Sequence, residues 1–141
     1  MEAASNSVSE VLARDHHTLD GLLTRAKALM TAGDLAGAHE GFLDFAGALE
    51  SHILFEERVV FPPIEHSPAT AHGPTSIMRY QHQRLESLLA EIVSTLAERE
   101  APWPALDSLE NLARRHEATE LGAVYPLADS VVPASWRTQR P

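Results

Sequence analysis

Apolar residues in this chain recur in alternating steps of four and three, the spacing that lines one face of an α-helix. The first run is Leu12, His16, Leu19, Leu23, Ala26 and Met30. It follows Ser7 and Glu10, a Ser-x-x-Glu pattern whose side chains would cap a helix start reciprocally. Ala32-Gly33-Asp34 ends that helix and offers Asp34 as the cap of the next. The second run, Ala38, Phe42, Phe45, Leu49, His52, Glu56 and Val59, is expected to stop at Pro62-Pro63. A third run starts near Thr75 or Ser76 and reads Met78, His82, Leu85, Leu89, Ile92 and Leu96. Pro102-Trp103-Pro104 marks the next break, with Pro104 suited to a first helical turn. The fourth run is Leu106, Leu109, Ala113, His116, Glu120, Ala123 and Leu127. No stretch alternates with period two for long enough to make a sheet.

These runs predict an all-α fold, an up-down-up-down antiparallel four-helix bundle. At 141 residues the chain is read as one domain, residues 1–141. The bundle would cover about residues 8–127, and 128–141 would form a C-terminal tail in which Trp136 is fit to dock back. Residues 62–74, rich in Pro, Ala, Ser and Thr, are expected to form the longest loop and to carry His66 and His72.

Two stretches repeat. His52 to Pro62 and His116 to Pro126 both read His-x-x-x-Glu-x-x-x-Val-aromatic-Pro, 64 residues apart. Asp15 to Leu23 likewise parallels Gln81 to Leu89, 66 residues apart. Helices one and two therefore look like one hairpin, and helices three and four like its copy. A pseudo-twofold axis between them would gather His16, His52, His82 and His116, with Glu56 facing Glu120.

Residues four apart on a helix share a face, so each copy sets an imidazole beside a carboxylate inside an apolar stripe. One such histidine is more often a hydrogen-bonded core residue than a ligand. Four of them with two carboxylates would give a metal-free core six polar side chains, every one needing a partner. A bound metal resolves that demand.

Composition narrows the chemistry. There is no cysteine, which removes disulfides, thiolate sites and iron–sulfur clusters. The net charge of −9 argues against nucleic acid and anionic membrane surfaces as partners. No apolar run is long enough for a membrane span, and Met1 to Ser9 lacks the pattern of a secretory signal, so a cytoplasmic location is expected. Histidine is the outlier, eight in a chain with six Phe and Tyr combined.

Four imidazoles and two carboxylates exceed what one tetrahedral zinc takes. Shared about the pseudo-twofold, they supply two histidines per ion, a set suited to non-haem iron or to manganese. Glu-x-x-His, the signature of ferritin-like di-iron bundles, is absent, as is the His-Glu-x-x-His of zinc proteases.

The combined pattern, with Asp15-His16-x-x-Leu19-Asp20-x-Leu22-Leu23 in the first helix and Phe61-Pro62 or Tyr125-Pro126 after each carboxylate, resembles the hemerythrin family. More narrowly, it is similar to the bacterial hemerythrin-like HHE cation-binding domains, over roughly residues 10–127. The resemblance implies two iron ions in the bundle core, His16 and His52 serving one and His82 and His116 the other. Glu56 and Glu120 would bridge them together with an oxo or hydroxo group. It implies dioxygen, peroxide or nitric oxide as small ligands, and two classes of role. One is redox chemistry on these ligands, such as peroxide removal. The other is a carrier, store or sensor of gas or iron without turnover.

Oxygen-carrying members have a fifth histidine four residues after that of the third helix, where this chain has Glu86. Glu86 is therefore a seventh candidate ligand, or a group orienting an imidazole, a role that the repeat also offers to Asp20. With no further domain fused to it, the chain is expected to have no built-in signalling output. It also lacks the cysteine-bearing N-terminal segment of the family's iron–sulfur repair members. His17, about 100° round the helix from His16, and His39 are expected at the surface. Tyr80, Tyr125 and Phe61 are candidates for lining access to the irons.

Overall fold

A computed structural model of the chain describes residues 7–67 and 73–140. Helix α1 (Val8–Thr31) begins with the expected reciprocal cap: the Glu10 amide donates to the Ser7 hydroxyl, and the Ser7 amide donates to the Glu10 carboxylate. It ends in a tight turn where Gly33 takes φ 84°, a left-handed conformation that costs glycine little. Asp34 then accepts the Gly37 amide at 2.9 Å and opens α2 (Leu35–Phe55).

The prolines do not stop the second helix. After α2 the chain runs through a π-helical turn (Glu56–Val60) into α3 (Phe61–His66). Following α4 (Thr75–Ala97), the fourth long helix does the same: α5 (Trp103–Thr119) passes through a second π-helical turn (Glu120–Val124) into α6 (Tyr125–Val131). Proline has no N–H and its ring crowds the carbonyl four residues back. The wider turn relieves this, with the Phe61 amide donating to the Glu56 carbonyl and the Tyr125 amide to that of Glu120. Pro62 and Pro126 then stand in the first turn of a renewed helix, where no amide donor is required.

Each π turn inserts one residue and moves the buried face by one position. Val60, Val124 and Ala128 are buried where the periodicity pointed to Val59, Ala123 and Leu127. Residues 62–66, expected in a loop, are helical, with His66 exposed at the end of α3. His72 lies outside the described residues. The last helix continues past Leu127 to Val131, and a short 3-10 turn (Ala134–Thr138) buries Trp136, its ring 6.3 Å from Phe55.

The four long helices form the antiparallel bundle. α1 packs on α2, α2 on α4 and α4 on α5, whereas α5 and α1 approach each other little. The α1–α2 contact is tight: a Cβ on Gly41 would stand 3.0 Å from Ala26 Cβ. The core is divided in two. One apolar cluster, around Phe42, Ile92 and Leu106, fills the loop-ward half of the long helices, and another, around Leu12, Phe61 and Val124, fills the half near the π turns. Between them lies a polar layer containing His52, Glu56, His82, His116 and Glu120, all buried. No helix among the described residues is long and apolar enough to cross a membrane.

Candidate metal centre

Both π turns begin at the carboxylates of the repeat, which places Glu56 and Glu120 at the middle of the bundle with no solvent exposure. Glu56 Oε1 is 3.0 Å from His82 Nε2, and its Oε2 is 3.4 Å from His52 Nε2. Glu120 is the counterpart, with Oε1 3.0 Å from His16 Nε2 and Oε2 3.1 Å from His116 Nε2. Two groups result among the described residues: His16, His52, Glu56 and Glu120, and Glu56, His82, His116 and Glu120. Within each, one donor atom per residue lies within 4.8 Å of all the others.

The outer nitrogen of each imidazole is fixed as well. Nδ1 of His16 donates to Glu117 at 2.8 Å, that of His52 to Asp15 at 3.1 Å, and that of His82 to Glu57 at 2.8 Å. His116 Nδ1 donates to the Gln81 side-chain oxygen at 2.8 Å. Because these partners accept, each Nδ1 carries the proton, and in a neutral ring Nε2 is left as a bare lone pair aimed inward. That lone pair meets a carboxylate oxygen, and two acceptors so placed need a cation between them.

Protons answer the need only in part. Burial disfavours the charged form of His52, but Glu56 and Asp15 outweigh it and raise its pKa to about 10. His16 and His82 are raised in the same way against burial, chiefly by Glu120 and Glu56 respectively. Glu56 is held well below the usual carboxylate range despite its burial, by His52 and His82. His52 Nε2 and Glu120 Oε2 nevertheless remain buried without a hydrogen-bond partner, although Glu56 Oε2 lies 3.4 Å from the first and His116 Nε2 3.1 Å from the second. Orphaned buried donors and acceptors are costly in a packed core. Two divalent cations, each taking two imidazoles and both carboxylates, would satisfy every one of these atoms, so the residues fit such a pair.

Tyr125 adds a group that the periodicity did not single out as polar chemistry. Its hydroxyl is 2.7 Å from Glu56 Oε2, 3.0 Å from Glu120 Oε1 and 2.9 Å from His16 Nε2. Burial and the two carboxylates together push its pKa up, so it stays a neutral donor. Phe61, its counterpart in the repeat, stacks on His82 with ring centres 5.7 Å apart. The two halves of the centre therefore differ, one carrying a hydroxyl and the other only a ring.

Of the seven residues proposed from sequence as ligands, six are brought together and Glu86 is not. The buried face of α4 runs through His82, Leu85 and Leu89, and Glu86 lies about 40° round from His82 on the far side from both. It is exposed, in a surface groove beside Glu50. Asp20 is exposed too and bonds no imidazole; its carboxyl is raised by partial burial and by Glu117. The orienting groups are instead Asp15, Glu57, Gln81 and Glu117. A signal for them was present, since each directly precedes or follows a seam histidine or carboxylate in the chain. Tyr80, a candidate for lining access, is 68 % exposed. His17 is exposed, as expected, and His39 is half-buried.

Comparisons with known proteins agree with this geometry. An iron-sulfur cluster repair protein, YtfE, from Edwardsiella ictaluri (strain 93-146) is 33% identical over 92 residues, covering 57% of this chain. The match spans 41% of that relative, less than half its length. No solved structure matches the chain. The profile of the family described as hemerythrin HHE cation binding domain matches residues 7–128, almost the whole bundle. With its four-helix fold and its buried layer of histidines and glutamates, the chain belongs to the hemerythrin family, as an HHE cation-binding domain.

Proposed function

We propose that this domain holds two iron ions and reacts with dioxygen, peroxide or nitric oxide at them, within the cytoplasm. The observation that carries the reading is that two four-residue groups share both Glu56 and Glu120. His16 and His52 would hold one ion, His82 and His116 the other, and the two carboxylates would span both. Two imidazoles with carboxylates per ion is a donor set that suits iron and leaves coordination positions open. Bound there, the pair would supply exchangeable sites for a small ligand and the electrons to reduce it.

The chain's own residues do the rest. Asp15, Glu57, Gln81 and Glu117 fix the tautomer and tilt of each imidazole. Tyr125 places a neutral O–H donor at the shared carboxylates, on the His16 side. The apolar clusters above and below cover the two ends of the layer, which meets a cavity between α1 and α5 on its side. With Glu86 directed to solvent, the two groups of described residues gain no further histidine or carboxylate, so the chain's own side chains would not saturate either ion. That favours reaction over reversible carriage. The repair activity in the relative's name is not carried over, because the match spans less than half of that protein.

Anaerobic loading with ferrous iron, elemental analysis and stopped-flow mixing with oxygen test the reading. About two irons per chain are expected, followed by oxidation that argon purging does not reverse. A single zinc, or no iron taken up, would sink the metal assignment. A stable adduct that purging returns to the ferrous state would restore the carrier role.

A further inference from the structure

The bundle is closed along three of its four seams. At the fourth, α5 and α1 stand apart, and a cavity of about 530 Å³ occupies the space between them. Its walls include Leu19, Leu23, Phe45, Leu49, Leu109 and Ala113, and all four histidines of the centre line it as well. Leu23 and Ala113 hold core positions in the helical periodicity yet are only partly buried, because they face this space.

The repeat shows that the space is built into the sequence. Phe45 and Leu49 of the first hairpin correspond to Leu109 and Ala113 of the second, 64 residues on. At both places the α5 wall carries the smaller side chain. Packed interiors leave few voids larger than a water molecule; this space is instead a half-open cleft between α1 and α5. Two polar bridges span the splayed seam. His16 bonds Glu117 at 2.8 Å, and Lys27 Nζ reaches both carboxylate oxygens of Glu110 at 3.1 Å. They tie α1 to α5 while the hydrocarbon walls between them stay unfilled.

A diatomic ligand needs only a small part of this volume. Mostly apolar cavities of roughly 300–1,000 Å³ suit whole organic ligands. We infer that the α1–α5 chamber binds an apolar organic molecule, its hydrocarbon body along Leu19, Leu23, Leu109 and Ala113. This goes beyond the metal reading and rests on the fold alone.

The test is titration of the full chain, as purified, with N-phenylnaphthylamine, whose emission rises in apolar surroundings, followed by competition with decanol. Saturable binding of one probe per chain is expected, displaced by decanol. Ala113→Phe and Leu23→Trp, which fill the chamber, should each weaken it by roughly tenfold or more with the melting temperature retained. Non-saturable binding to the wild type would overturn the chamber. So would unchanged affinity in whichever variant remains folded, which would place the probe on exposed Leu43 or Ile77. Failure of decanol to displace the probe would overturn the apolar ligand. Iron measured on the same samples separates the two readings: probe binding without iron counts against the metal assignment alone, and iron without probe binding against the chamber alone.

Discussion

Arg140 holds both carboxylate oxygens of Asp15, at 3.0 and 3.3 Å, and Asp15 in turn accepts the Nδ1–H of His52 at 3.1 Å. The guanidinium also lies 5.1 Å over the ring of Phe55, against which Trp136 packs. The segment after α6 therefore reaches the candidate metal centre through one carboxylate. His52 and Arg140 hold that carboxyl below its usual range against the opposing effect of burial.

Replacing Arg140 by Ala should loosen Asp15 and, through it, His52. Its side chain is 30% exposed, so the cost to stability should be small, about 0.5–1 kcal/mol. The larger effect should fall on one metal ion of the two, the one served by His16 and His52. Metal titration resolving two affinities would show it, and Arg140→Lys should restore only part, because lysine lacks the two-pronged donor.

The sharing of carboxylates makes single substitutions unequal. Glu56→Ala or Glu120→Ala should lose both irons and strand the facing imidazoles, at a cost of about 1–3 kcal/mol each. His52→Ala should weaken one ion and leave the His82–His116 side loaded. Glu86→Ala, His17→Ala and His66→Ala should keep the wild-type metal content. Elemental analysis of the set decides the matter, and equal retention in all of them would refute the assignment.

Tyr125→Phe turns one half of the centre into a copy of the other. The ring should still fill the cluster around Phe61 and Val124, so the fold is expected to persist. Glu56 and Glu120 lose a donor, which should lower the melting temperature of the metal-free chain by the equivalent of about 1–2 kcal/mol. Stopped-flow oxidation of the iron-loaded variant should slow if the hydroxyl supplies a proton there.

The histidine layer gives the metal-free chain a pH dependence with a definite sign. His52 has its pKa raised to about 10 in the fold, against an ordinary value of about 6.5 when unfolded. Its contribution is full below the unfolded value, declines as pH rises, and is lost on passing the folded one. Thermal melts of chelated protein should therefore show stability falling between about pH 6.5 and 10. Metal must displace these protons, so uptake should release them and tighten with pH over the same interval, as calorimetry in buffers of different ionisation enthalpy would detect.

The sequence by itself determined the helices, the caps at Ser7 and Asp34, and the six residues that meet at the centre. All of these follow from local rules: a period of 3.6 sets His52 beside Glu56, and the repeat sets His116 beside Glu120 in the same way. What only the tertiary structure decided depends on how helices are turned and spaced. Pro62-Pro63 reads as a helix stop, but a π turn absorbs it, as another absorbs Pro126, and the two shift the buried face from Val59 to Val60 and from Ala123 to Val124. Glu86 shares the spacing of a ligand, yet α4 is rotated so that Leu85 and Leu89 take the core and Glu86 meets solvent. The pairing of Asp15 with His52, or of Glu57 with His82, joins different helices and has no local period to announce it. The open seam between α1 and α5 is of the same kind: Ala113 is unremarkable in its own helix and becomes a wall only when Leu23 stands across the gap.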